Sequence, residues 1–470
     1  MVVVKHMRRL LALILTVLFA ISAAGCVHDE ETAESYEDLL FDSSYVHTID
    51  ITLPEEDWSD ILSDPLAKTR YMADISIDGE TVTSVSFATK GNASLHLVAA
   101  EGGSRRYSFK VIFDKFIEGQ TWHGLDRLNL LNMFGDPSLM RDHISYSMFR
   151  KQGVPAPLSS YVMVTVNGQV QGLYLAVEDV DVSFAYRNFG GEGYLYKPEN
   201  GETRIDENED IIENGDRCIY LDENCGSDLV YRGDDAGIYP DIFENDVYRV
   251  DEGSYGRVIN ALKNLSDRTD LENVLYTDEV ISYFAVHNFL VNYDTYTGRM
   301  LHNYYLYENG GRLGMIPWDY DTIFGYFPED GVLIHASDAS RVINYGIDAP
   351  LNMVTEQERP MWGWIPSDEN YLEIYHDAME RLITSYFESG EFDRETKAVY
   401  DMILPYVEQD PTAFFTVDEF NEGYDMFRNT AGLRARSIRL QLNGALATVY
   451  EEQIEEDRVD ASSVIIESMI

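Results

Sequence analysis

The chain has 470 residues, with 35 Lys and Arg against 82 Asp and Glu, for a formal charge of −47; 45% of residues are hydrophobic and 12% aromatic. That apolar content excludes a disordered acidic tail. The acidic surplus argues against nonspecific binding to DNA or RNA and against attachment to an anionic membrane through basic residues. Any phosphate ligand then needs a local basic patch or a metal ion to offset the field.

The first element is an apolar run from Leu10 to Ile21, preceded by Lys5, Arg8 and Arg9. It is too short to span a bilayer as a mature helix and reads as a signal-peptide core. Ala23-Ala24-Gly25-Cys26 follows and resembles a bacterial lipobox, which implies cleavage after residue 25 and a lipid anchor on Cys26. Residues 26–45 read as an acidic tether. The other two cysteines, Cys218 and Cys225, are either a disulfide closing a small loop or free thiols.

From Val46 to Phe113 the period is that of strands. Ile49 to Leu53, Ala73 to Ile77, Thr81 to Ala88 and Arg106 to Phe113 are candidates, with Asp78-Gly79 as a hairpin turn. Residues 136–152 read as a helix with Leu139, His143, Ile144, Ser147 and Met148 on one face. Residues 159–178 read as two strands around Asn167-Gly168. Residues 198–256 are rich in Asp, Glu, Asn and Gly and read as an acidic insertion, with short ordered pieces near Leu229-Val230-Tyr231. Helical periodicity resumes at Tyr255 and again from Val280 to Val291. A hairpin is expected over 303–318, turning at Asn309-Gly310-Gly311. Beyond residue 368 helices are expected near 371–383, 394–408 and 424–446. The order suits an α+β fold of two lobes, β-rich first and helical second, with a cleft between them.

The densest group of chemistry-bearing residues lies between 292 and 325: Asn292-Tyr293-Asp294, His302-Asn303, and Pro317-Trp318-Asp319-Tyr320-Asp321 followed by Phe324-Gly325. Three acids and an Asn fall at the ends of adjacent elements, where rigid scaffolds present functional groups. Carboxylate and amide oxygens are the hard ligands that Mg²⁺ and Mn²⁺ prefer. Asp and Asn are also common turn residues, so the pattern alone leaves a metal site and solvated turns evenly balanced.

These segments resemble the CotH (spore coat protein H) kinase family. The resemblance rests on Lys90-Gly91-Asn92-Ala93-Ser94, Asp136-Pro137-Ser138-Leu139-Met140-Arg141, Val166-Asn167-Gly168 through Gly172-Leu173-Tyr174 to Glu178, Leu195-Tyr196-Lys197, and the three groups between 292 and 325. It covers roughly residues 46–440, most specifically at Ile316 to Asp321. It implies an atypical protein-kinase-like, two-lobed fold over 46–443, with residues 444–470 as a tail. It also implies transfer of the γ-phosphate of ATP to Ser of a protein partner. By the same resemblance Asp294 is the catalytic residue, receiving the hydroxyl proton. Asp319 holds the metal (Mg²⁺ or Mn²⁺), Asn303 helps hold a second, and Asp321 is a further ligand. Together with the signal peptide, this places the chain as an anchored lipoprotein outside the cytoplasm.

The sequence departs from the family pattern in two places. Lys90 stands where the first motif usually begins with Arg, and Arg106-Tyr107 where a Lys-Lys pair is usual. Between residues 90 and 115, Lys90, Arg105, Arg106, Lys110 and Lys115 face only Glu101 and Asp114, a basic island in a very acidic chain. Lys90, Arg106 and Lys110 are the ATP-phosphate candidates. Arg141 reads as pairing with a carboxylate in the cleft or, structurally, with Asp142 or Glu178; Glu178 reads as a hinge or ion-pair residue. Lys197 either reaches phosphate or is an ordinary surface lysine; Trp318 reads as wall packing, and His143, His287 and His302 as packing or support residues. Two other readings stand beside the kinase: a catalytically inactive surface scaffold or adhesin, and a carbohydrate-active protein using paired carboxylates.

Overall fold

The structure is a computed structural model that describes residues 34–100, 104–199, 204–205, 211–213, 226–249, 251–327 and 337–466. The apolar N-terminal run, Cys26, Cys218 and Cys225 lie outside the described residues.

Seven strands make a closed barrel: β1 (His47–Thr52), β2 (Tyr71–Ile77), β3 (Glu80–Lys90), β4 (Ser108–Ile112), β5 (Arg127–Leu131), β6 (Ser159–Val166) and β7 (Gln169–Glu178), in the order β1-β2-β3-β4-β5-β7-β6. Most neighbours are antiparallel. Closure comes from β1 lying parallel to β6, with Ile49 opposite Val164. Strict alternation along β1 buries His47, Ile49 and Ile51 and exposes the residues between them. The turn at Asp78-Gly79 has φ +47° and +89°, the left-handed pair that tight hairpins require. Ile75, Phe87, Phe109, Val111, Leu128 and Val164 fill the interior.

This closed barrel corrects the expected kinase-like two-lobed fold. The β-rich-then-helical order holds, yet a sheet that closes on itself has no free edges and is not the N-terminal lobe of a protein kinase. Two boundaries also move. Tyr36, Leu40 and Phe41 are buried against the barrel, so the expected tether is folded from residue 34 onward. Val459, Ala461, Val464 and Ile466 are buried in the main core, so the expected tail is packed as well.

A second sheet contains β8 (Tyr194–Tyr196), β11 (Asp246–Tyr248), β12 (Tyr304–Asn309) and β13 (Arg312–Pro317) in the order β11-β8-β12-β13; β9 (Arg204–Ile205) and β10 (Ile211–Glu213) pair separately. The short ordered pieces expected near 229–231 are a helical turn at Gly226–Asp228 and the buried Leu229 that follows it. The longer helices are α1 (Glu55–Ser63), α2 (Ala93–Ala100), α3 (Arg141–Lys151), α4 (Val182–Phe189), α5 (Glu252–Asp267), α6 (Thr277–Leu290), α7 (Glu369–Leu382), α8 (Glu391–Val407) and α9 (Val417–Leu442). α6 is buried on almost every face, which explains its near-continuous apolar sequence. α3 packs against both β6 and α6 and so connects the barrel to the helical part.

Candidate functional site

The hairpin β12–β13 carries the expected acidic groups at its base. α6 ends at Val291, whose φ of +49° turns the chain into the loop 292–303. Buried Asn292 ties this loop to the one after β13. Its Oδ1 accepts from the Asp294 N–H at 3.0 Å and from Thr322 Oγ1 at 3.1 Å, and its Nδ2 donates to the Asp319 carbonyl at 3.4 Å. The Trp318 N–H donates to the Asn303 carbonyl at 3.3 Å. Asn292 and Asp319, 27 positions apart in sequence, are thereby held side by side.

Asp294 is gripped at both carboxylate oxygens. His302 Nε2 lies 2.7 Å from Oδ1, and Asn303 Nδ2 donates to Oδ2 at 3.1 Å and to the Asp294 carbonyl at 2.9 Å. Burial lowers the His302 pKa, but the adjacent Asp294 outweighs this and the net shift is upward.

Asp319 and Asp321 join Asp294 in one acidic cluster, together with Asp142 from the first turn of α3. Burial raises the Asp321 pKa well above the usual carboxylate range, and Asp319, Asp142 and Asp294 push it further. Asp319 is raised first by burial and then by Asp294, with Lys90 opposing. Asp142 is raised to about 7 by burial and by Asp319. Among the described residues, no three His, Cys, Asp or Glu side chains form a ready metal cage.

A basic wall faces these acids. Lys90 ends β3, and its Nζ lies 5.2 Å from the centre of the Trp318 ring. Burial lowers its pKa; Asp319 and Asp179 are its nearest favourable charges, and Lys110 and Lys197 repel it. Lys110 on β4 is ion-paired to buried Asp179, which also accepts from Asn129 Nδ2 at 3.1 Å. Burial alone would raise Asp179, but Lys110 holds it down at about 2. Lys197 is paired with Glu199, and its Nζ lies 5.8 Å from the Tyr305 ring. The Tyr305 and Trp318 rings meet edge to face at 5.6 Å, forming an aromatic wall between the lysines.

Arg106 does not belong to this wall, which corrects its assignment to the ATP phosphates. Its guanidinium is 3% exposed and bonded to the Asp410 carboxylate and the Leu173 carbonyl, with the Tyr174 and Phe414 rings against it. Its hydrogen bonds are spent on holding the barrel to the loop after α8. Arg141 pairs with Asp136 rather than with Asp142 or Glu178, and Glu178 is an ion-pair residue. Arg141 reaches Asp136 and the Asp321 carbonyl and lies over the Tyr326 ring. Glu178 takes Arg187, the Tyr36 hydroxyl and the Leu158 N–H.

The family model described as CotH kinase protein matches residues 88–438 of this chain. The chain belongs to the CotH kinase protein family. The matched span contains every described candidate residue, while β1 and β2 of the barrel precede it. The chain is 22% identical over 353 residues to "Inner spore coat protein H" of Bacillus subtilis (strain 168), covering 74% of this chain and 87% of that protein. It is also 34% identical over 94 residues to "Inner spore coat protein H-like protein" of the same organism, covering 20% of this chain and 29% of that protein. Among the described residues of this CotH family chain, no helix is long and apolar enough to cross a membrane.

Sequence reasoning did not assign Asp142 or Asp179 to the site, and it left Lys197 open between a phosphate contact and an ordinary surface lysine. Lys197 carried a signal in its place within the family-like Leu195-Tyr196-Lys197 segment, but composition alone could not separate it from an ordinary surface lysine. Asp142 was visible only as a neighbour of Arg141.

Proposed function

We propose that this chain is an extracytoplasmic protein kinase that uses ATP and Mg²⁺ or Mn²⁺ to phosphorylate Ser hydroxyls of a protein partner on or outside the cell surface. One observation carries the reading. Asp294, Asp319 and Asp321 cluster at the base of one hairpin, facing Lys90 with Lys110 and Lys197 beside it.

The donor set fits a hard divalent ion. Asp142 is buried and Asp319 and Asp321 are part-buried. Asp319 raises Asp142, and Asp319 and Asp142 raise Asp321, the signature of carboxylates short of positive charge. A closed three-acid cage is not required, because Mg²⁺ characteristically keeps several waters and takes one or two carboxylates plus substrate phosphates. Asp319 and Asp321 would hold the ion, with the Asn303 amide oxygen as a further donor. The ion supplies charge neutralisation on the transferring phosphoryl group.

The remaining roles follow from the chain's own groups. Lys90, Lys110 and Lys197 would pair with phosphate oxygens, and the Tyr305–Trp318 wall limits water at that end. Asp294 would accept the proton of the acceptor hydroxyl. His302 and Asn303 fix its orientation, so the acceptor is held in place rather than strongly deprotonated. Labelled-ATP incorporation by the purified chain tests this. Asp294→Asn and Asp319→Ala should each lower the rate by about 10²-fold or more; rates equal to the parent's would refute the assignment.

A second reading, an inactive surface scaffold, gains support from Arg106, whose commitment to Asp410 removes one candidate phosphate ligand. Absence of nucleotide binding in the parent chain would favour it. Attachment to the bilayer through an acylated Cys26 is part of the proposal, and it rests on the lipobox-like sequence. Labelled palmitate should enter the full chain in a bacterial host and be lost in Cys26→Ser; equal labelling would refute the anchor.

A further inference from the structure

Asp319 has φ +56°, a left-handed conformation that residues with a Cβ adopt rarely. Such a backbone persists only where its surroundings hold it. Here the peptide units on both sides of Asp319 are held. Its N–H donates to the Tyr146 hydroxyl at 3.1 Å. Its carbonyl accepts from Asn292 Nδ2 at 3.4 Å, and the next N–H, of Tyr320, donates to Asp142 Oδ1 at 2.7 Å. Burial, and then the neighbouring Asp142 carboxylate, raise the pKa of the Tyr146 hydroxyl.

Asp142 and Tyr146 stand four residues apart on α3, one turn along a single face, so they meet two consecutive amides of another segment. Both are buried, at 7% and 1% exposure. α3 is fixed in turn by its packing on β6 and α6. The chain thus fixes the direction of the Asp319 side chain from a rigid helix rather than from its own loop.

We infer that Asp142 and Tyr146 are positioning residues: by holding the left-handed backbone at Asp319 they set the direction in which its carboxylate meets a divalent cation. The inference rests on the proposed role of Asp319 as metal ligand. Neither residue touches the cation; each acts through the Asp319–Tyr320 backbone. Partners that orient a ligand in this way typically change metal affinity by 10–100-fold when removed.

The test is Mn²⁺ binding to the full chain with a nonhydrolysable ATP analogue, read from the electron paramagnetic resonance signal of free Mn²⁺, alongside the thermal midpoint of each variant. Tyr146→Phe deletes one oxygen and keeps the ring. Its Kd for Mn²⁺ should rise about ten-fold while the thermal midpoint stays close to the parent's. A rise of less than about three-fold, with Asp319→Ala abolishing binding, would overturn the inference and leave the metal-ligand reading standing. Parent-like binding by Asp319→Ala would overturn both. If Tyr146→Phe does not fold, Asp142→Asn replaces it, with the same thresholds. That change turns an acceptor beside Tyr146 into a donor, which competes with the Asp319 N–H.

Discussion

Arg106 Nη1 lies 2.7 Å from Asp410 Oδ2, joining the barrel to the loop after α8 across 304 residues of sequence. The same Asp410 oxygen accepts the Leu173 N–H at 2.9 Å, and Thr412 donates to the Gln171 carbonyl at 2.5 Å. Both partners of the pair are almost fully buried, at 3% and 2% exposure. Removing one member of such a pair leaves the other charge uncompensated, so Arg106→Ala should lower stability by about 3–5 kcal/mol in urea denaturation. Nucleotide affinity in the variant that remains folded should stay within about three-fold of the parent's, a shift under 1 kcal/mol. A stable variant that loses nucleotide would return Arg106 to the phosphate site.

Lys90 and Lys197 should behave in the opposite way. Each is only part-buried, and each loses little packing when truncated to Ala. Loss of a charge-assisted hydrogen bond to phosphate is worth about 1.5–3 kcal/mol, so Lys90→Ala and Lys197→Ala should weaken nucleotide binding roughly ten-fold or more by calorimetry. Thermal midpoints should change little.

Glu279 on α6 gives a pH dependence remote from the site. Burial raises its pKa to about 7, with Arg312 opposing, and its Oε1 has no hydrogen-bond partner. The folded pKa lies above the unfolded one. The stability it contributes is therefore complete below pH 4.5 and is lost as pH rises through about 7. The loss is on the order of 3 kcal/mol. Glu279→Gln should be flatter than the parent in thermal midpoint between pH 5 and pH 8, about the window of the shift. Parallel profiles would contradict the burial of a titrating carboxyl there.

His287 has the reverse sign. Burial lowers its pKa to about 3, and its ring nitrogens lie 2.9 Å from the Tyr320 hydroxyl and 2.6 Å from Thr297 Oγ1. Its stabilisation is present above pH 6.5 and is lost as pH falls toward about 3. Because Tyr320 follows Asp319, acid should loosen the loop after β13 early. Hydrogen-exchange protection at Asp319 to Phe324, taken relative to the intrinsic amide rate at each pH, should fall between pH 6 and pH 4, about the upper part of that window, before global unfolding. Protection that fails only with the whole fold would contradict this.

Much of the local structure was legible because its causes are local. The hairpin β12–β13 follows from two short apolar runs flanking Gly310-Gly311, and the Asp78-Gly79 turn required only its two residues. What escaped notice depended on distant partners. Closure of the barrel needs β1 beside β6, a pairing that no local period encodes. β5 was missed because Arg127-Leu128-Asn129-Leu130-Leu131 is short and its Leu-rich sequence is not strand-specific. Helix α3 begins at Arg141 rather than at 136, because the Asp136 carboxylate takes the N–H groups of Ser138 and Arg141 and Leu139 turns left-handed at φ +57°. At the candidate site, Asp294, Asn303, Asp319 and Asp321 were singled out by motif. Arg106 was misassigned because its partner is Asp410, and Asp142 was overlooked because its task is to hold the backbone of a loop reached 178 residues later.

On the proposed reading, one divalent ion is held at the Asp319 and Asp321 carboxylates beside Lys90. A crystal of the full chain grown with Mn²⁺ and a nonhydrolysable ATP analogue, with the metal located by anomalous scattering, tests it most directly. The expected result is a peak within about 2.0–2.3 Å of an Asp319 oxygen, with analogue phosphate against Lys90. A nucleotide bound away from Lys90, or a metal peak far from both carboxylates, would contradict it.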